Sequence, residues 1–371
     1  MEAFKAFINS ATRPRFLFPV LLVFTFLMFP PNDFLLKINK KLKLYKLWTT
    51  IGGMILFSLM IAFFAFGLTD PNFRKIVTKP DNIPIVGLIF LVNFFLWFSM
   101  KQATENDARM EEGKEPKEAI DAKEKVLVWP DLVYVEFISL ILCTILLTVW
   151  SIGLKAPLEE PANPTVSPNP SKAPWYFLGL QEMLVYFDPW LAGVVFPTLI
   201  LLGLMAIPYL DNNKKGRGYY SFKERKMAVS IFVSSWLLLW VFLITVGTFL
   251  RGPNWNFFGP FEVWDVNKLE ALTNVNLSEY FYMIWFKRGL PHNIFLRELP
   301  GFFLVLFYLG VLPLLFAKTL FKNIYKSLGA FRYSVFVVLL LMAASLPVKM
   351  FLRWVFNIKY IIAIPEFFFN I

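Results

Sequence analysis

The sequence predicts an all-α integral membrane protein with seven or eight transmembrane helices and a short interfacial helix. Apolar residues make up 57% of its 371 residues and charged residues only 17%, whereas soluble domains carry about 25% charged residues. A helix that crosses a bilayer needs about 20 mostly apolar residues. Seven runs meet or approach this length: Trp48–Leu68, Ile83–Met100, Asp131–Ile152, Trp190–Tyr209, Val229–Leu250, Gly301–Lys318 and Tyr333–Lys349.

An eighth run, Phe16–Phe29, is shorter and ends at Pro30-Pro31. Two interpretations stay open for it. The run either crosses the membrane, or it forms a re-entrant or interfacial segment.

The positions of lysine and arginine predict how the helices are oriented. Short basic loops face the cytoplasm in bacterial inner membranes. The loop Gly153–Pro189 has only two basic residues and is expected to be periplasmic, which assigns three basic loops to the inside. Their residues are Lys37, Lys40, Lys41, Lys43 and Lys46; Lys214, Lys215, Arg217, Lys223, Arg225 and Lys226; and Lys318, Lys322, Lys326 and Arg332. Orientation explains the net charge of +11 better than nucleic-acid binding does.

Composition also divides the chain into segments. Gln102–Lys125 is charged, mixed in sign and poor in aromatic residues, which is typical of a solvated cytoplasmic tether. We expect N-terminal transmembrane helices in 1–100, this linker in 101–128, a central domain in 129–255, a periplasmic loop in 256–299 and a C-terminal helical pair with a tail in 300–371. Prolines between Pro157 and Pro174 predict an extended outer loop.

The segment Ser171–Pro189 carries the pattern most relevant to chemistry. Pro174 suits the first turn of a helix, and the following dozen residues are too few to cross a bilayer, so they should lie at the interface. Trp175 and Glu182 are seven residues apart and would share one helix face. A carboxylate on such a face can accept a proton. Alternatively, the aromatic residues are membrane anchors and Glu182 points into water.

The order of motifs around this segment resembles the C-terminal half of cytochrome b, and most closely subunit IV of cytochrome b6f-type complexes. The similar region is about Trp129–Leu250. The residues that carry the resemblance are Trp129-Pro130-Asp131-Leu132, Glu159-Glu160-Pro161, Ala173-Pro174-Trp175-Tyr176, Gly193, Gly203 and Ile207-Pro208-Tyr209-Leu210-Asp211.

This resemblance implies a site. The family's Pro-Glu-Trp-Tyr motif lines the outer quinol-oxidation site, which predicts that quinol binds at Ala173, Pro174, Trp175, Tyr176 and Phe177. Pro174 occupies the position of the family's glutamate, which is thought to take a quinol proton. We therefore hypothesise that Glu182 is the catalytic proton acceptor, against the alternative that a carboxylate elsewhere serves.

The resemblance also implies partners. His292 is the only histidine and Cys143 the only cysteine, so the chain cannot supply the histidine pair of a haem b or a Cys-based metal site. A cytochrome b6-like subunit would carry the haems, a Rieske iron–sulfur protein would take the first electron, and a cytochrome c would receive it. The chain would be non-catalytic alone, within a dimeric quinol–cytochrome c reductase of the bacterial inner membrane.

Two other functions remain open from the sequence. The loss of the motif glutamate is compatible with a structural subunit of the same kind of complex that lacks a working site. A secondary transporter is the other alternative. Transporters usually show paired repeats and charges near the membrane midplane, and the sequence shows neither pattern convincingly.

Overall fold

The computed structural model describes residues 1–154, 161–211, 218–270 and 273–371. Its helices in these ranges are α1 (Glu2–Ala11), α2 (Pro14–Met28), α3 (Asp33–Lys41), α4 (Thr50–Gly67), α5 (Pro71–Val77), α6 (Ile83–Glu111), α7 (Lys117–Asp121), α8 (Val128–Gly153), α9 (Leu178–Met183), α10 (Leu191–Leu210), α11 (Lys226–Leu250), α12 (Leu299–Lys318) and α13 (Lys322–Phe356). Shorter helical turns lie at Leu44–Trp48, Trp175–Phe177, Pro253–Trp255, Leu277–Glu279, Tyr280–Trp285, Ile294–Arg297 and Pro365–Phe367.

Seven of these helices are long and apolar enough to cross a membrane: α4, α6, α8, α10, α11, α12 and α13. Each contains most of one of the seven predicted runs. The structure is 71% helical and has almost no strands. The predicted class, an all-α membrane protein with seven or eight spans, is confirmed.

Local sequence signals explain where several helices begin. The side chains of Asn32, Thr49 and Asp70 accept hydrogen bonds from backbone N–H groups in the first turns of α3, α4 and α5. These groups would otherwise lack partners at a helix N-terminus. Pro14 and Pro71 occupy first-turn positions, where no backbone N–H is needed.

The chain divides into two compact units. The first comprises Met1–Ser171, Lys215–Leu238 and Thr248–Val266, and the second comprises Lys172–Lys214, Leu239–Gly247 and Asn267–Ile371. Helix α11 therefore contributes residues to both units.

In the first unit, α1 and α2 are bent by 72° relative to each other. Lys5 of α1 pairs with Asp70, which follows the C-terminal end of α4, at 2.6 Å. The Asn9 Oδ1 accepts a hydrogen bond from the backbone N–H of Phe261, beyond the C-terminal end of α11, at 2.9 Å. Helix α1 is therefore held against Asp70 and against the loop that follows α11.

The C-terminal end of α2 lies near the N-terminal end of α11. The Ser230 hydroxyl, in the first turn of α11, donates to the Phe29 carbonyl at 2.6 Å. The Asn39 amide of α3 donates to the Leu27 carbonyl at 2.7 Å. The C-terminal end of α2 is therefore fixed to the first turn of α11. With α1 and α2 counted together as one bent span, the described residues contain up to eight candidate spans.

The predicted tether Gln102–Lys125 is partly packed in the first unit. Its first ten residues continue α6, and Asn106 and Asp107 are buried there. The Asp107 carboxylate accepts hydrogen bonds from the Ser221 hydroxyl and from the backbone N–H groups of Phe222 and Lys223. This part of the segment is fixed to the loop before α11, while the domain boundaries remain a prediction.

The second unit contains α9, α10, α12, α13 and a C-terminal hairpin. Gly329, at φ +75°, breaks the helical geometry of α13, and the predicted run Tyr333–Lys349 lies after this break. The hairpin strands β1 (Ala363–Ile364) and β2 (Phe369–Asn370) pair antiparallel, with Ala363 opposite Asn370. The Trp190 indole N–H donates to the Asn370 carbonyl at 2.9 Å, which ties the hairpin to the start of α10.

Candidate functional site

The predicted site loop turns directly into α9. Pro174 precedes a 3-10 turn at Trp175–Phe177, and the Phe177 N–H donates to the Pro174 carbonyl at 2.8 Å. The Ala173 N–H donates to the Gln181 Oε1 at 2.8 Å. The loop is thus closed onto the short helix that follows it, because residues on both sides of the turn are hydrogen-bonded.

Three consecutive aromatic rings project from this turn. Trp175, Tyr176 and Phe177 are 37%, 48% and 50% exposed. The ring centroids of Trp175 and Tyr176 are 5.6 Å apart, and those of Tyr176 and Phe177 are 4.7 Å apart. We call these three residues the aromatic cluster. Its exposed rings can receive either a planar apolar molecule or lipid headgroups.

Glu182 has the opposite environment. It is 0% exposed, and its Oε1 lies 3.5 Å from the buried Tyr186 hydroxyl, which donates to it. The alternative that Glu182 points into water is therefore wrong. Trp175 and Glu182 would share one helix face only if a continuous α-helix joined them. In the structure, Trp175 lies in the 3-10 turn before α9. The structure places Trp175 at the surface and Glu182 in the interior.

Close packing explains why Glu182 is buried. A methyl group added to Gly247 of α11 would lie 3.4 Å from the Leu178 carbonyl, and one added to Gly179 would lie 3.5 Å from Ile244. Small residues therefore allow α9 to approach α11 closely. This approach removes the inner face of α9 from solvent.

Lys349 is a second buried ionisable residue in this unit, and the sequence analysis did not single it out. It is 2% exposed, and its ammonium donates to the Lys359 carbonyl at 2.5 Å. The ammonium also lies 5.5 Å from the ring centroid of Phe187 and 6.0 Å from that of Tyr360. Phe187 follows α9 in sequence, so Lys349 lies beside the segment that carries Glu182.

Arg353, one turn later in α13, is buried as well. Its guanidinium donates to the Thr273 carbonyl, to the Asn357 carbonyl and to the Asn274 Oδ1, at 3.3, 3.1 and 2.6 Å. Arg353 thereby joins α13 to a segment almost eighty residues earlier in the chain. Two basic residues four apart in an apolar run were the sequence signal for this pair.

Arg297 and Glu298, which are adjacent in the sequence, form an ion pair at 3.1 Å. Glu298 is buried and also accepts a hydrogen bond from the Ala363 N–H at 2.9 Å. Arg297 in addition contacts both carboxylate oxygens of Glu366 at 2.9 Å. Such two-point contacts are stronger and more directional than single ones, and they hold the C-terminal hairpin.

The Arg297–Glu366 contact predicts acid sensitivity of the hairpin. Hydrogen bonds from Arg297 hold the pKa of the Glu366 carboxyl below its usual value. A lowered folded-state pKa gives stability that is complete above the unfolded value, about 4.3, and is lost as the pH falls through the folded value. We expect the protection of residues 363–370 from hydrogen exchange, relative to the intrinsic rate at each pH, to fall below about pH 4. Glu366→Gln should remove this pH dependence, and Glu124→Gln, at an exposed carboxylate far along the chain, should retain it.

His292 and Cys143 are both exposed. Within the described ranges, no group of three or more His, Cys, Asp or Glu side chains is placed to hold a metal ion. Several residues used in the sequence analysis lie outside the described residues. They are Lys155, Pro157, Glu159, Glu160, Lys214, Lys215 and Arg217.

A family model described as cytochrome b (C-terminal)/b6/petD matches residues 161–250. These residues form a cytochrome b C-terminal-like domain. The domain contains the aromatic cluster, Glu182, α9, α10 and α11. It ends at the residue where the predicted similarity to subunit IV ends, and it begins later than the predicted Trp129. The chain matches no solved structure.

The cytochrome b C-terminal-like domain supports membership of the chain in a bc- or b6f-type quinol oxidoreductase complex. The spans α4, α6, α8, α12 and α13 lie outside the matched residues. The chain is a multi-pass membrane protein, and this domain occupies the middle of its sequence.

Proposed function

We propose that the chain forms one wall of the outer quinol-oxidation site of a bacterial bc- or b6f-type complex. The observation that carries the proposal is the position of the aromatic cluster and Glu182 inside the cytochrome b C-terminal-like domain. The loop 157–189 would face the periplasm, in agreement with the basic loops on the opposite side. The complex would be dimeric and would deliver electrons to a cytochrome c.

The aromatic cluster would bind the quinol ring. Ala173 and Pro174 precede it, and hydrogen bonds fix the turn before α9. A turn that is fixed before binding loses little conformational entropy when a ligand arrives. Exposed rings at membrane-interface depth also suit a substrate whose head group is polar and whose tail is apolar.

Glu182 would accept one of the two protons released when quinol is oxidised to quinone. Its carboxylate is the acidic group of α9, it is shielded from bulk water, and Tyr186 donates to one of its oxygens. The proposed role is that this carboxylate receives the substrate proton. The two electrons would leave to an iron–sulfur centre on a Rieske partner and to haem b on a cytochrome b6-like partner.

A scaffold subunit without a working site is the second candidate. The observation that favours it is Pro174, which stands where the family motif has its acid and cannot exchange a proton. In this case the aromatic cluster would anchor the loop at the membrane surface. Both candidates require a haem-bearing partner, but only the first requires the aromatic cluster for turnover.

The test compares two double variants of the purified complex. Trp175→Ala/Tyr176→Ala removes two rings of the aromatic cluster. The control Trp285→Ala/Phe286→Ala removes two consecutive exposed aromatic residues outside the cytochrome b C-terminal-like domain. We expect the first variant to raise the KM for quinol at least about tenfold, because each ring contact contributes about 0.5–1.5 kcal/mol beyond its buried area. The control should retain the wild-type KM.

Reduced-minus-oxidised spectra of the same preparations check the partner. A haem b signal in both variants shows that assembly is intact. If the haem b signal is present and the two variants oxidise quinol equally well, the chain is a scaffold subunit without a working quinol site. If no haem-bearing chain accompanies the protein, both candidates are wrong.

A further inference from the structure

A cavity of about 470 Å³ opens in the first unit, and none of its lining residues belongs to the quinol-site proposal. This volume is within the range of about 300–1,000 Å³ found for small-molecule sites. We call it the lysine-end cavity. Its lining residues come from α2, α3, α6 and the loops between helices.

One wall of the lysine-end cavity is apolar. Met28, Trp48, Met100 and Phe222 line it, and all four are buried members of one hydrophobic cluster. Leu36 packs against the same cluster. This wall can accept a hydrocarbon chain without leaving a polar group unpaired.

The lining also contains Lys40, which lies one helical turn after Leu36 on α3. Of the two acids that line the cavity, Asp107 accepts hydrogen bonds from one hydroxyl and two backbone N–H groups, and Glu111 pairs with Lys223. Lys40 has no acidic partner among the residues that the structure describes. Its exposed side chain can therefore pair with an anionic group of a ligand in the cavity.

The sequence around Lys40 adds to this charge. Residues 34–69 contain five lysines and no acidic residue, and all five lysines are exposed. Lys37, Lys40 and Lys41 follow the spacing of one helical face on α3, and Asn39 fixes α3 to the end of α2. A basic amphipathic helix at the end of a crossing attracts anionic lipids.

We propose that the lysine-end cavity binds one anionic phospholipid. The phosphate-bearing head group would lie at Lys40, and one acyl chain would follow Met28, Trp48 and Met100. Free phosphate would leave the apolar wall exposed. A zwitterionic lipid has no net charge, so its electrostatic attraction to the lysines would be weaker. The charge and the apolar wall together therefore select an anionic amphiphile. The site would hold α2 and α3 against α6, independently of any role in quinol oxidation.

The first experiment uses three probes on the full-length chain, stripped of lipid in detergent and examined by native mass spectrometry. Phosphatidylglycerol, phosphatidylcholine with the same acyl chains, and inorganic phosphate are each titrated. We expect a one-to-one adduct with phosphatidylglycerol, at least about fivefold weaker binding of phosphatidylcholine and no adduct with phosphate. Equal binding of the two lipids, or binding of phosphate alone, would overturn the proposal.

Two variants then separate the head-group contact from general surface charge. Lys40→Gln should weaken phosphatidylglycerol binding about fivefold and leave phosphatidylcholine unchanged. The matched control Lys41→Gln removes an adjacent, exposed lysine that does not line the cavity. If both variants weaken binding equally, the lipid is attracted by the surface and not bound in the cavity.

A third variant tests the acyl-chain wall. Ala108 is exposed at the cavity lining, so Ala108→Phe should fill the space without disturbing the core. We expect it to weaken the binding of both lipids at least about tenfold while the unfolding temperature of the lipid-free chain stays unchanged. Unaltered binding of phosphatidylglycerol to a folded Ala108→Phe chain would show that the cavity is not the site.

Discussion

Glu182→Gln is expected to lower quinol turnover by the assembled complex about 100-fold or more, because a positioned general base contributes about 10²- to 10⁴-fold to a proton transfer. The amide has nearly the shape of the carboxylate, so the packing of α9 should be unchanged. The Tyr186 hydroxyl also finds an oxygen acceptor in both the wild-type protein and the variant. The KM for quinol should change little, since the aromatic cluster is untouched. Steady-state turnover at saturating quinol measures the effect.

Two comparison variants make this result specific. Glu366→Gln neutralises a carboxylate of the C-terminal hairpin, in the same unit, and should turn over like wild type. Tyr186→Phe removes the hydroxyl that donates to Glu182 and should lower turnover less than about tenfold, since one such hydrogen bond contributes about 0.5–1.5 kcal/mol. Wild-type turnover by Glu182→Gln at saturating quinol would show that another group accepts the proton.

Arg353→Ala should give the largest loss of stability. The substitution leaves the Thr273 and Asn357 carbonyls and the Asn274 side-chain oxygen without the guanidinium that they accept from. Hydrogen bonds to charged groups contribute about 1.5–3 kcal/mol each and are not additive, so we expect a loss of about 3 kcal/mol in the free energy of unfolding. Reversible unfolding in mixed detergent measures this quantity.

Arg332→Ala is the matched control for Arg353→Ala. Arg332 is an exposed arginine of the same helix, α13, and such surface substitutions usually change stability by less than about 0.5 kcal/mol. Equal stability of the two variants would mean that the hydrogen bonds of Arg353 add nothing to folding. A loss confined to Arg353→Ala would identify the contact between α13 and residues 273–274 as a main support of the second unit.

The seven long spans could be predicted because a bilayer requires long apolar helices whatever the tertiary contacts are. Helix α2 was harder to assign, since its 15 residues fall short of the usual length. Hydrogen bonds tie its C-terminal end to the first turn of α11, and its crossing stays a prediction. The extension of α6 to Glu111 was also hidden, because charged residues there are compensated by contacts with residues more than a hundred positions away.

The candidate site was also predictable only in part. The aromatic residues at 175–177 and the acid at 182 were visible in the sequence, and the family match covers them. The burial of Glu182 was not visible, since it depends on Gly179 and Gly247 bringing two helices together. The spacing of Lys349 and Arg353 was a visible signal, but their burial and their partners were not. Their partners come from residues 273–274 and 357–360, and no local pattern reports such distant contacts.

The path of α2 has a consequence for membrane sidedness. If α1 and α2 together form one bent span, the described residues contain eight crossings, and an even number returns the polypeptide to the face from which it started. Met1 and Ile371 should therefore be accessible from the same compartment. Reporter enzymes fused separately to the two ends would report one compartment, and opposite readings would mean that α2 turns back before reaching the other face.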